Sequence, residues 1–190
     1  MKIIESLENR RSYYAINADL PVARQEVEAL VKKATVLVPD AFNMKSARVV
    51  LVFDEAHQKL WDSIYDAYEG KVPREKIDSF KAGAGTILYF YDESVVEGLQ
   101  EQFATYAANF PIWAQQANGM LQISIWSGLR ELEIGASLQH YNPVIDESVK
   151  AQFGLDKKWK LIAQMPFGGI ADAALPKAEE DENDRVIIVG

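Results

Sequence analysis

Arg10 and Arg11, preceded by Glu8-Asn9 and followed by Ser12, set two guanidinium groups and a hydroxyl in a row. Guanidinium stays charged at physiological pH and presents its N–H groups in a planar fork, so the trio suits a phosphate; it equally fits a solvated cluster of surface charge. A second polar group lies in Gly135-Ala136-Ser137-Leu138-Gln139-His140-Tyr141-Asn142, where backbone amides, an amide side chain and an imidazole converge at a helix exit. Capping and ligand binding both fit it. Lys81-Ala82-Gly83-Ala84-Gly85-Thr86 has the glycines of a nucleotide loop, but a strand pattern follows it, and a dinucleotide fingerprint needs a strand before it and a helix after it. It reads as a plain turn. His57, within the helical Glu55-Ala56-His57-Gln58-Lys59, reads as a surface residue.

No Ser/His/Asp spacing and no pair of carboxylates stands out. The absence of cysteine excludes disulfides, thiolate catalysis, thiolate-bound zinc and cysteine-ligated iron–sulfur clusters, and two histidines argue against a histidine-rich metal site. Chemistry without a protein nucleophile or metal points to a bound cofactor. A formal net charge of −8 argues against nucleic acid as a partner, so any bound anion is held locally.

Helical spacing of Ile3, Ile4 and Leu7 predicts a helix over Lys2 to Glu8 that delivers the arginines from its end. A second helix is predicted after Asp19-Leu20-Pro21, carrying Val27, Leu30, Val31, Ala34 and Leu37, with Pro39 ending it and a loop over Asp40 to Ser46. Val49–Phe53 reads as a buried strand. Asp54 reads as the N-cap of a helix through Tyr68 with Gly70 as its stop, and Pro73 to Lys81 as a polar segment. Thr86–Tyr91 is a second strand, and Ser94 with Glu97 has capping-box spacing for the next helix. After an aromatic break at Asn109–Trp113, a long helix through Leu121, Ile125, Trp126, Leu129 and Leu132 is apolar on so much of its surface that it belongs in a core or a subunit interface. Asn142-Pro143 starts a helix that Gly154 ends; Trp159–Met165 and Arg185–Val189 read as third and fourth strands, and Ala178 to Asp184 as a wet acidic loop.

Helices and strands do not alternate one for one, so the class is α+β. The chain reads as one domain spanning residues 1–190. No apolar run approaches the roughly 20 residues of a membrane span, and the N-terminus lacks the apolar region of a secretory signal, so the expected location is the cytoplasm with no membrane partner.

Four segments carry a family resemblance in order along the chain: Asn9-Arg10-Arg11-Ser12; Pro39-Asp40-Ala41-Phe42-Asn43; Gly135 to Pro143 with its Gln139-His140-Tyr141-Asn142-Pro143 run; and Met165-Pro166-Phe167-Gly168-Gly169 with Lys177. Together they resemble the nitroreductase family, and more narrowly its compact branch of bacterial nitroreductases and fungal fatty-acid-repression-mutant proteins. The resemblance implies a three-layer sandwich with a mostly antiparallel sheet flanked by helices, forming an intertwined homodimer with two FMN molecules at the subunit interface. It implies an oxidoreductase that passes hydride from NADH or NADPH through FMN to a small-molecule acceptor, a nitroaromatic, a quinone or similar, by ping-pong turnover. No protein residue is then catalytic in its own right.

By the same resemblance Arg10, Arg11 and Ser12 hold the FMN phosphate and ribityl end, with Lys177 adding a positive charge. Asp40, Asn43 and Lys45 approach the flavin of the partner subunit. Gln139 and His140, with the backbone around Ser137 and Leu138, face the flavin ring and its N5 edge. Phe110 and Trp113 are expected, from composition and location, to wall the substrate opening. The wider family usually has two serines where this chain has Asp40-Ala41, and commonly a glutamine where it has Lys45. The Lys-x-Arg pattern of larger members is not reproduced after Lys177, which leaves a compensating role open for Arg185. The Asp40-Ala41 departure keeps alive the alternative of a flavin-binding regulatory or interaction protein with incidental or no turnover.

Overall fold

A computed structural model of the chain describes every residue except 179, 182 and 184. Strands β1 (Ile16–Asn17), β2 (Ala47–Phe53), β3 (Gly85–Asp92), β4 (Ile134–Ala136) and β5 (Trp159–Ile170) form one sheet in the order β1-β5-β3-β2, with β4 also paired to β5. Every ladder is antiparallel. The helices are α1 (Lys2–Asn9), α2 (Arg24–Leu37), α3 (Asp54–Ala67), α4 (Arg74–Lys81), α5 (Glu93–Gln102), α6 (Phe110–Glu131) and α7 (Asp146–Phe153).

Strand periodicity divides the core into two layers. Successive side chains of β3 point to opposite faces. Ile87 and Tyr89, with Ala163 and Met165 of β5, meet Val27 and Val31 of α2 and Leu121, Ile125 and Leu129 of α6. Leu88 and Phe90, with Leu161, meet Leu60, Trp61 and Ile64 of α3, Ile77 and Phe80 of α4, and Val149 of α7. This is the α+β class read from the pattern of elements, in the three-layer sandwich that the family resemblance implies. The β3–β5 register shifts between Tyr89 and Phe90, and Asn118, wholly buried on α6, donates from Nδ2 to the Phe90 carbonyl at 3.0 Å. A disrupted ladder strands a backbone acceptor, and a buried acceptor needs a donor.

Several local expectations are corrected. Pro73 to Lys81 is not merely polar: Ile77 and Phe80, three residues apart, bury one face of α4. The residue capping α5 is Asp92, whose carboxylate accepts from the Ser94 amide at 3.0 Å; Glu97 instead pairs with Lys158, so the Ser94–Glu97 capping box does not form. Asp54 is the first residue of α3, not its cap, and its carboxylate meets Arg24 at 3.0 Å. The aromatic break is the first turn of α6, where Pro111 needs no amide partner. Strand β5 runs on to Ile170, through the Met165–Gly169 motif. Arg185–Val189 forms no strand, and Ile187, Ile188 and Val189 are each 91% exposed. The acidic loop expected over 178–184 falls partly outside the described residues.

His57 is likewise not on the surface. It is buried under α3, with Nδ1 2.9 Å from the Thr86 hydroxyl and Nε2 3.2 Å from the Lys81 carbonyl. A carbonyl can only accept, so Nε2 carries the proton and Nδ1 accepts from Thr86, whose oxygen receives the Trp61 indole N–H at 2.9 Å. Burial lowers the imidazole from its ordinary 6.5 to about 4, so it is neutral at physiological pH.

Candidate functional site

Helix α1 ends at Asn9, and the extended backbone of Arg10 after it turns the chain toward the sheet. Ser12 forms an isolated parallel bridge with Ala136, and the Tyr13 amide donates to the Ala136 carbonyl at 3.0 Å, which fastens the arginine segment to β4. The Arg10 guanidinium lies 4.2 Å from the ring centroid of Trp126 on α6, and the Trp126 indole N–H donates to the Ala136 carbonyl at 3.2 Å. Burial and the neighbouring Arg11 charge pull Arg10 below the ordinary guanidinium value. Its Nε is buried without a hydrogen-bond partner among the described residues. Arg11 donates to the Leu175 carbonyl, which brings the tail bearing the exposed Lys177 to this corner. Among the described residues neither arginine is paired with a carboxylate.

The segment after β4 is held by β5. The Ser137 amide donates to the Pro166 carbonyl at 3.3 Å, and Gln139 and Gln164 exchange both backbone hydrogen bonds at 2.7 and 2.9 Å. With 137 and 139 turned to β5, the period-two backbone directs the amides of Leu138 and His140 the other way. The Gln164 side chain, fully buried, accepts from the Tyr141 amide at 2.8 Å and donates to the Asn142 side chain at 3.4 Å. Backbone on both sides of His140 is therefore fixed while its imidazole stays exposed. The Gln139 and Ser137 side chains are buried and bond each other at 3.1 Å, so neither is turned outward; Leu138 is half-buried.

The second group of expected residues forms a separate cradle. Ala41–Asn43 is a single 3-10 turn, and Phe42, Asn43 and Lys45 hold φ of 55°, 50° and 53°. Asparagine tolerates this region; phenylalanine and lysine pay on the order of 1 kcal/mol each, and such strain gathers at ligand clamps. The Phe42 ring compensates by packing on Phe103, Phe110 and Trp113, stacking on the last at 5.6 Å and 19°. Asp40 Oδ2 accepts from the Ser46 amide at 3.2 Å and hydroxyl at 3.3 Å, whereas Oδ1 is buried with no partner among the described residues. Burial raises the Asp40 carboxyl from its ordinary value, against the pull of the Ser46 bonds and of the nearby Ala41 and Lys45 amides. Asp40, Asn43, Lys45 and Arg48 line a cavity of about 410 Å³ whose other walls include Thr35, Val38, Ala117 and Leu121. Arg48 is committed to Asp92 at 2.9 Å and to the Lys45 carbonyl at 2.9 Å.

Trp113 is partly exposed, stacked on Phe42. Phe110 is not a wall: it is completely buried and supports Phe42 from beneath. The structure thus gathers Arg10, Arg11, Ser12, Ser137 to His140 and the tail of Lys177 at one place, and Asp40, Asn43 and Lys45 at another. Trp126 and Ala117, which mark the two places on α6, are nine residues and about 13 Å apart along the helix. Four contributors were missed by the sequence reading. Gln164, an amide inside an apolar strand, was the readable signal; Trp126, Phe42 and Ser46 gave none before their contacts were known.

The nitroreductase family model matches residues 7–169. The chain is 32% identical to HBN1 of Saccharomyces cerevisiae over 168 residues, 87% of this chain and 86% of the yeast protein. It superposes on the nitroreductase CinD of Lactococcus lactis in complex with chloramphenicol with a TM-score of 0.94 and 42% identity, covering 99% of this chain and all of that one; CinD was also solved with 4-nitrophenol. A protein of this fold from Exiguobacterium sibiricum in complex with FMN gives a TM-score of 0.75 at 14% identity, over 98% of this chain and 96% of that one, which is a likeness of fold alone. The chain belongs to the nitroreductase family.

Proposed function

We propose that the protein is an FMN-dependent oxidoreductase that takes hydride from NADH or NADPH and passes it to nitroaromatic, quinone or similar acceptors, in ping-pong fashion and as a cytoplasmic homodimer. The observation that carries this reading is the Arg10–Arg11 pair, unneutralised among the described residues, beside a backbone segment clamped to β5. Two adjacent guanidiniums, one with a buried unpartnered Nε, demand an anion, and a phosphate supplies it. The site fits FMN on that ground. When bound, the flavin supplies the hydride chemistry. Membership of the nitroreductase family supports the redox class, and the complexes of CinD with chloramphenicol and 4-nitrophenol support the acceptor class.

This chain's residues bind and orient. Arg10 and Arg11 neutralise the phosphate, Ser12 holds the adjoining ribityl end, and Lys177 adds charge from the tail. The outward amides of Leu138 and His140 offer hydrogen bonds to the electron-rich edge of the ring, and Gln164 keeps them aimed. Trp113 and Phe42 flank the opening and exclude water. The cradle of Asp40, Asn43 and Lys45, set apart from the arginines within one chain, completes the site of a second copy.

The visible spectrum of the purified protein tests the reading. A yellow protein bleached by NADH or NADPH and recoloured by a quinone is expected; a colourless protein that takes up no FMN overturns it. Arg10→Ala and Arg11→Ala are expected to weaken FMN retention more than dimerisation, and equal loss of both would make the arginines structural.

A further inference from the structure

We infer that Asp40 makes flavin retention sensitive to acid, with its free carboxylate oxygen accepting a hydrogen bond from a flavin donor, a ribityl hydroxyl or the ring imide N–H. The inference rests on the proposed FMN site and adds its regulation. Within the carboxyl, Oδ2 is spent on the Ser46 amide and hydroxyl, while Oδ1 is buried and unpartnered among the described residues, in a residue that lines the 410 Å³ cavity. A buried carboxylate oxygen without a donor is costly, and a strained loop that maintains such a group implies a ligand that satisfies it. Here the strain is the run of left-handed residues Phe42, Asn43 and Lys45.

The charged surroundings are simple. The walls from α2 (Thr35, Val36) and α6 (Ala117, Leu121), with Val38 and Pro39 between α2 and the loop, carry no charge; the loop adds Lys45, and β2 adds Arg48, which Asp92 already neutralises. Asp40 is the single carboxylate among the cavity's lining residues. Because burial raises this carboxyl from its ordinary value, it takes up a proton at milder acidity than an exposed aspartate would. The proton goes to Oδ1, since Oδ2 is occupied by two donors. An acceptor then becomes a donor facing a donor, and the flavin is released.

The test dilutes flavin-loaded protein at pH 7.5 and pH 5 and reads released FMN by its fluorescence, for the wild type, Asp40→Ser and Asp40→Asn. The FMN phosphate titrates near pH 6 in all three, so the difference between proteins isolates Asp40. The wild type is expected to lose more affinity than either variant across this interval, toward a limit of about tenfold once the carboxyl is fully protonated, the scale of one charge-assisted hydrogen bond. Superimposable profiles overturn the inference, and asparagine keeps the test open should serine fold poorly. A wild type that holds no flavin at either pH overturns the proposed function as well.

Discussion

Lowering the pH should destabilise this fold through His57. The neutral imidazole completes a buried relay in which Trp61 donates to Thr86, Thr86 to Nδ1, and Nε2–H to the Lys81 carbonyl. Protonation puts a second hydrogen on the ring, at Nδ1, where only an acceptor fits, and it charges a group out of reach of water. The folded value is about 4 against 6.5 unfolded, so the unfolded chain takes the proton first as pH falls. Stability is therefore intact above about pH 6.5 and is lost between there and pH 4. A shift of that size corresponds to about 3 kcal/mol in total, of which about 2 kcal/mol is gone at pH 5. Urea unfolding at pH 7.5 and pH 5 measures it when wild type is compared with His57→Gln, which cannot titrate. The wild type should lose about 2 kcal/mol more than the variant over that interval. Other groups that titrate there are common to both proteins and cancel. Parallel losses would refute the buried relay.

Gln164→Leu keeps the bulk but leaves the buried Tyr141 amide without an acceptor, at a cost of about 2 kcal/mol in urea unfolding. FMN retention should fall with it, because the backbone flanking His140 loses its clamp; unchanged retention would detach that clamp from the flavin. Gly168→Ala would drive a methyl into the Asn17 carbonyl and against the Gly83–Ala84 backbone, where β1, β5 and the turn meet. A loss of about 3 kcal/mol or failure to fold is expected, whereas Gly119→Ala on α6, with open space around it, should be neutral or gain about 0.5–1 kcal/mol in the same assay.

What the sequence made legible follows from how local each cause is. Apolar runs announced β2 and β3, and three- and four-residue spacing announced α2, α3 and α6, because one face of each element is decided by its own residues. Strands β1 and β4, two and three residues long, exist only through pairing with β5 and had no pattern to show. Helix α4 was hidden by its charged face, Arg74-Glu75-Lys76 and Asp78, which outweighed two buried residues. Arg185–Val189 failed the other way: its β-branched composition fits a strand, but among the described residues no strand pairs with it, and propensity alone makes no ladder.

The site was legible as residue types but not as roles. Among the described residues Arg10 and Arg11 pair with no carboxylate and His140 is exposed, yet Ser137 and Gln139 turn their side chains toward each other and offer only their backbone. The reason lies in β5. Pro166 and Gln164 take the amides of 137 and 139, and that alternate pairing alone aims the amides of 138 and 140 outward. His57, read as wet from its charged neighbours, is dry because it lies on the same side of α3 as Leu60, Trp61 and Ile64, three to seven residues on. Asp40 shows the opposite relation. Its departure from the family pattern is visible in the sequence, but only the Ser46 bonds and the loop strain leave one of its two oxygens without a partner. A substitution that first cast doubt on cofactor binding thereby becomes the reason to expect that binding to respond to acid.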